Sequence, residues 1–68
     1  MRISARNQLK GKIVAVVKGA TTSHVQLDVG GAILTASITN EAVDDLKLVK
    51  GRQAYAVIKA SDVMVGID

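Results

Sequence analysis

The sequence predicts an all-β domain, a small five-stranded barrel with one short helix between the third and fourth strands. Three observations carry this expectation. Apolar and polar residues alternate with a period of two over residues 22–29 and again over residues 32–39, the pattern of strands with one buried face. Glycines at Gly19, Gly30-Gly31 and Gly51 punctuate the runs where turns are needed. Only one short stretch, residues 41–46, changes to helical spacing.

At 68 residues the chain holds one domain, residues 1–68, with no internal repeat, linker or low-complexity segment. A domain of this size buries only about 60% of the surface its unfolded chain exposes. Such scaffolds are usually stapled by disulfides, a metal or association. The absence of cysteine excludes disulfides and thiolate zinc, and the single histidine, His24, cannot build a histidine-rich metal centre. With 49% of its residues apolar, the chain is expected to form a homo-oligomer. No apolar run approaches the ~20 residues of a membrane span. The N-terminus also lacks the apolar region of a signal peptide. A cysteine-free chain fits a reducing cytoplasm, and a net charge of +3 favours an acidic partner, either nucleic acid or a small anion.

Each element has its own signal. Residues 9–17 are rich in β-branched side chains, and Ile13-Val14-Ala15-Val16-Val17 has no polar alternation, which reads as a strand covered on both faces, the outer one by a neighbouring subunit. Gly11 within it marks a bulge or sharp bend, and Lys18-Gly19-Ala20-Thr21 is a turn. In the second strand Ser23, Val25, Leu27 and Val29 share one face, leaving His24 on the solvated side. Gly30-Gly31 is a hairpin turn, because glycine supplies the positive φ such turns require. In the third strand Leu34, Ala36 and Ile38 point inward. Asn40 is then expected to cap a helix over residues 41–46, with Asp44-Asp45 on its solvated face. After the turn at residues 47–51 come a fourth strand over residues 53–59, a tight turn at Ala60-Ser61-Asp62 and a final apolar strand over residues 63–67. The order β-β-β-α-β-β is that of an OB-like barrel.

No nucleophile and base are placed together: Ser23, the serine beside His24, points to the opposite face of the same strand. A catalytic role is therefore not expected, and neither is a metal site. Oxyanion binding is better served. A compact oxyanion takes a guanidinium fork, an ammonium group, hydroxyl donors and free backbone N–H groups. Ser4, Arg6, Thr39, Lys59 and Ser61 supply the side chains, all near strand ends, and the turn at Ala60-Ser61 offers backbone donors. Micromolar affinity corresponds to about −8 kcal/mol, while a charge-assisted hydrogen bond nets only ~1.5–3 kcal/mol. Donors from two chains are therefore expected around one anion. Two other readings compete. One is a nucleic-acid-binding OB module, which Tyr55, the only aromatic residue, serves poorly because such modules stack bases on several rings. The other is a structural or regulatory oligomer holding sulfate or phosphate.

The run Ser4-Ala5-Arg6-Asn7-Gln8-Leu9-Lys10-Gly11 resembles the opening signature of the molbindins, the molybdate-binding Mop proteins, and Ile58-Lys59-Ala60-Ser61-Asp62-Val63 is similar to their closing signature. The resemblance implies an OB-like barrel that dimerises and assembles as a hexamer, a trimer of dimers. It implies binding of molybdate or tungstate between subunits, as a cytoplasmic store or buffer with no covalent cofactor, nucleic-acid partner or membrane. The same module occurs attached to molybdate-responsive regulators and transporter ATPases; with nothing attached to this chain, a free-standing store is expected. By the resemblance, Ser4, Arg6, Lys59 and the Ala60-Ser61 turn contact the anion from one subunit, and Thr39 does so from its partner. Some relatives carry a serine three residues after that threonine, where this chain has Ala42.

Overall fold

A computed structural model describes residues 1–68. The chain forms β1 (Asn7–Lys18), β2 (Thr22–Asp28), β3 (Ile33–Thr39), a helix α1 (Asn40–Asp45), β4 (Gln53–Ile58) and a 3-10 turn (Ala60–Asp62). All strand pairings are antiparallel, in a single sheet of order β3-β2-β1-β4. The long β1 serves two neighbours. Its first half pairs with β4 from Asn7↔Ile58 to Lys12↔Gln53, and its second half pairs with β2 from Lys12↔Asp28 to Lys18↔Ser23. The two ladders share Lys12, and at the adjacent Gly11 a Cβ would lie 2.5 Å from the Asp28 carbonyl oxygen and 2.8 Å from Val29 Cγ1. Only a residue without a side chain allows the end of β2 to cross β1 so closely.

The bulge itself lies further on. The register steps from Ile13↔Leu27 to Ala15↔Gln26, leaving Val14 as the extra residue. Ile13 and Val16 therefore both point inward, and Val14 and Ala15 fall together on the other side, half-buried beside Leu48 and Val49 of the loop after α1. This corrects the expected reading of the unbroken apolar run. The lost alternation comes from a bulge, and its outer side is partly covered by this chain's own loop. On β4 the outer residues Tyr55 and Val57 remain exposed.

Ile13, Val25, Leu27 and Val43 form the core, with Val16, Val29, Ile38, Leu48 and Ala54 packed against it. Val43 is the residue of α1 that reaches this core, so the helix plugs one end of the curled sheet. Its N-cap is Thr39, one residue earlier than expected: Thr39 Oγ1 accepts from the Ala42 N–H at 3.0 Å. Asn40 is instead the first helical residue, its side chain turned inward to the Ser23 hydroxyl. At the other end Arg52 Nη1 donates to the carbonyls of Leu46 (3.0 Å) and Lys47 (2.9 Å), satisfying acceptors that a helix terminus leaves free. Gly30 and Gly31 take φ of +97° and +99° in the β2–β3 hairpin, and Asp28 Oδ1 accepts from both their N–H groups.

The expected fifth strand is absent. Val63-Met64-Val65-Gly66-Ile67 pairs with nothing in the chain, and the sheet has four strands. A curled half-barrel results, open between its edge strands β3 and β4. No helix is long and apolar enough to cross a membrane.

Candidate oxyanion site

The pairing Asn7↔Ile58 decides where the two basic residues go. Arg6 precedes one partner and Lys59 follows the other, so both emerge at the same end of the β1–β4 ladder. Asn7 strengthens this junction, its Nδ2 donating to the Ile58 carbonyl at 3.3 Å. Ser4 and Ala5 lie just before Arg6, and Ala60 and Ser61 just after Lys59. Five of the six expected residues, Ser4, Arg6, Lys59, Ala60 and Ser61, thus belong to one cluster.

Arg6 is held by its own loop. Its Nε donates to the Ser4 carbonyl at 2.9 Å and one Nη to the Ile3 carbonyl at 3.2 Å. A guanidinium has five N–H donors, so three remain for a ligand, on a fork already oriented. Gln8 Nε2 donates to the Ala5 carbonyl at 3.0 Å and tightens the same loop. Neither Arg6 nor Lys59 is in an ion pair; the one salt bridge joins Lys18 and Asp44 at 2.6 Å. Asp62 lies in the adjoining turn but reaches neither cation. In that turn Asp62 N–H donates to the Lys59 carbonyl and Val63 N–H to the Ala60 carbonyl. The N–H groups of Ala60 and Ser61 open the turn and have no intrahelical acceptor. Two cations without an ion-pair partner, two hydroxyls and two backbone donors are the kinds of group that hold a small dianion.

Thr39 lies elsewhere. It pairs with Thr22, beside the far end of β1, where Lys18 meets Ser23. The strand between these ends has 12 residues, so the two clusters lie at opposite ends of the longest strand in the sheet. Because Thr39 Oγ1 accepts from the Ala42 N–H, its hydroxyl proton is free to donate outward. The shallow depression it lines also holds Glu41, Ala42 and Asp45. Two carboxylates surround this hydroxyl, so Thr39 cannot attract an anion without cations brought from outside.

Three further residues support these positions. Asn7 and Gln8 order the Arg6 loop, and the only hint of this was their density in a polar opening run. Ser23 is fully buried and donates to Asn40 Oδ1, while Asn40 Nδ2 donates to the Gly19 carbonyl at 3.0 Å and Asn40 N–H to the Thr21 carbonyl at 2.9 Å. This network fixes the start of α1 and so the placing of Thr39. Its signal was legible: a serine in phase with Val25 and Leu27 is a polar group on an apolar face. His24 is exposed on the outer face of β2.

A four-stranded curled sheet plugged by one helix, with an unpaired Arg–Lys cluster at one end, is the frame of a small oxyanion-binding domain. The TOBE domain family matches residues 3–65. A probable molybdenum-pterin-binding protein of Haemophilus influenzae is 48% identical over the full length of both chains. Among solved structures, a molybdate-binding protein from Sporomusa ovata superposes with a TM-score of 0.94 at 37% identity, covering 98% of this chain and 100% of the other. The cytoplasmic molybdate-binding protein ModG, in a form with molybdate bound, also gives 0.94 at 42% identity; it covers all of this chain, which spans 49% of the ModG chain. The chain belongs to the TOBE domain family, in its molbindin (Mop) branch.

Proposed function

We propose that this protein binds molybdate, as a non-catalytic cytoplasmic store or buffer, at sites shared between copies of the chain in a homo-oligomer, with the hexamer built as a trimer of dimers as the expected assembly. Tungstate, with the same charge and tetrahedral shape, is bound by the same donors. One observation carries this reading. Arg6 and Lys59, the proposed cationic half-site, lie at one end of β1, and Thr39, the proposed hydroxyl half-site, lies beside the other. The two halves meet only when one copy offers its Arg6 end to the Thr39 end of another. Ser4, Arg6, Lys59, Ala60 and Ser61 of one subunit then surround an anion whose remaining oxygen is met by Thr39 of the next. With Ala42 in place of a second hydroxyl, Thr39 is the sole side-chain donor from its side.

A bare oxyanion suits the cluster better than a pterin does. It contains no aromatic side chain, and Tyr55 lies in mid-β4 on the exposed outer face. Native mass spectrometry of the intact chain with molybdate, and separately with equal sulfate, tests the reading. An oligomer that takes up several molybdates and leaves sulfate unbound is expected; a chain that takes up neither would refute it. Calorimetric titration of Arg6→Ala and Lys59→Ala should each show molybdate binding at least tenfold weaker with unchanged circular dichroism. Wild-type affinity in both variants would remove these residues from the site.

A further inference from the structure

The β1 bulge and the loop after α1 enclose an open groove, apart from the Arg6–Lys59 cluster. Its volume is about 630 Å³, within the ~300–1,000 Å³ of small-molecule clefts. Val14, Ala15, Leu48 and Val49 supply an apolar lining, and Lys47 and Lys50 supply unpaired charge. Both lysines are exposed, and neither is in an ion pair. The third lysine of the groove, Lys18, is neutralised by Asp44. The other depressions differ in kind: the one at Thr39 holds two carboxylates, and the cleft between β3 and β4 holds no charged side chain.

The backbone at Lys47 is a second, independent observation. Lys47 takes φ +54°, in the left-handed region, and is the one non-glycine residue of the chain to do so. It closes α1 there: its N–H donates to the Asp44 carbonyl at 3.2 Å, and the Leu48 N–H donates to the Val43 carbonyl at 3.0 Å. Helices closed by this pair of bonds usually carry glycine at that position, because a side chain there is strained. Gly30, Gly31 and Gly51 fill the chain's other left-handed positions. A lysine where glycine would fold more easily marks a side chain kept for what it meets outside the fold. The loop is also fixed in place, since the Gly51 N–H donates to the Ile13 carbonyl and the Arg52 N–H to the Val49 carbonyl. The groove is therefore preformed.

We propose that this groove binds a small organic anion, whose aromatic or short alkyl body lies on the apolar lining while its sulfonate, carboxylate or phosphate meets Lys47 and Lys50. Two ammonium groups fix the sign of the ligand, and the apolar lining favours a ligand with a body to bury over a bare ion.

This site goes beyond molybdate binding and does not rest on it. The test uses the full chain with saturating molybdate present, so that the oxyanion cluster is filled, and 8-anilinonaphthalene-1-sulfonate as the probe. A saturable rise in fluorescence is expected, with amide NMR shifts centred on residues 14–18 and 43–50. No binding, or shifts confined to residues 34–38 and 54–58, would overturn the proposal. Excess sulfate should leave the probe bound; its displacement would reveal a site for bare anions and overturn the organic ligand. Lys47→Gly combined with Lys50→Ala should weaken probe binding at least tenfold, and wild-type affinity in that variant would remove both lysines from the site. Lys47→Gly alone should hold or raise Tm, because it relieves the strained backbone. A lowered Tm would assign the lysine to packing and overturn its role toward a ligand. Molybdate uptake by the wild-type chain is scored separately: probe binding without uptake sinks the anion store alone, and uptake without probe binding sinks the groove alone.

Discussion

Replacing Ser23 by alanine tests how the fold holds the start of α1 and with it Thr39, the hydroxyl proposed to meet the anion. Ser23 is 0% exposed, and its hydroxyl donates to Asn40 Oδ1 at the start of α1. Alanine removes the donor and leaves a partly buried amide oxygen without a partner, because the Asn40 amide nitrogen is already committed to Gly19. Orphaning such an acceptor costs about 1–3 kcal/mol. For a domain of this size each kcal/mol moves Tm by about 4–8 °C. A loss of ~2 kcal/mol should therefore lower Tm by roughly 8–16 °C. Ser37→Ala is the control, since Ser37 is exposed on β3 and makes no hydrogen bond with its side chain. Thermal unfolding followed by circular dichroism, at one fixed chain concentration because association shifts Tm, compares the two. A Ser23→Ala curve that overlays the Ser37→Ala curve would show that the network does not hold α1.

Two further perturbations probe separate features. Gly11→Ala forces a Cβ against the Asp28 carbonyl and Val29. It should cost about 1–3 kcal/mol, as overpacking does, seen as a lower urea midpoint at an unchanged slope; an unshifted midpoint would mean β1 and β2 separate freely there. Thr39 has two roles that one substitution divides. Aspartate caps a helix as well as threonine does, so Thr39→Asp should keep Tm within a few degrees yet weaken molybdate binding at least tenfold by adding a carboxylate. Thr39→Ser should keep both properties, and wild-type titration of Thr39→Asp would exclude Thr39 from the anion.

What the sequence determined by itself was local. The period of two placed Val25, Leu27, Leu34 and Ile38 on the inner face, Gly30-Gly31 marked a hairpin, and the switch of spacing after Thr39 marked a helix. Each of these depends on neighbours a few residues apart. The tertiary structure decided whatever depends on distant pairing. The bulge at Val14 exists because the register against β2 slips, which no residue within β1 announces. The N-cap moved from Asn40 to Thr39 because buried Ser23, 17 residues away, claims the Asn40 side chain. Residues 63–67 are an apolar run of strand length, yet a strand exists only through a partner edge, and within this chain they pair with none. The Arg6 and Lys59 cluster was legible as two polar motifs. Their meeting followed from the Asn7↔Ile58 pairing, and their separation from Thr39 followed from the course of β1, both decided by the fold and not by either motif.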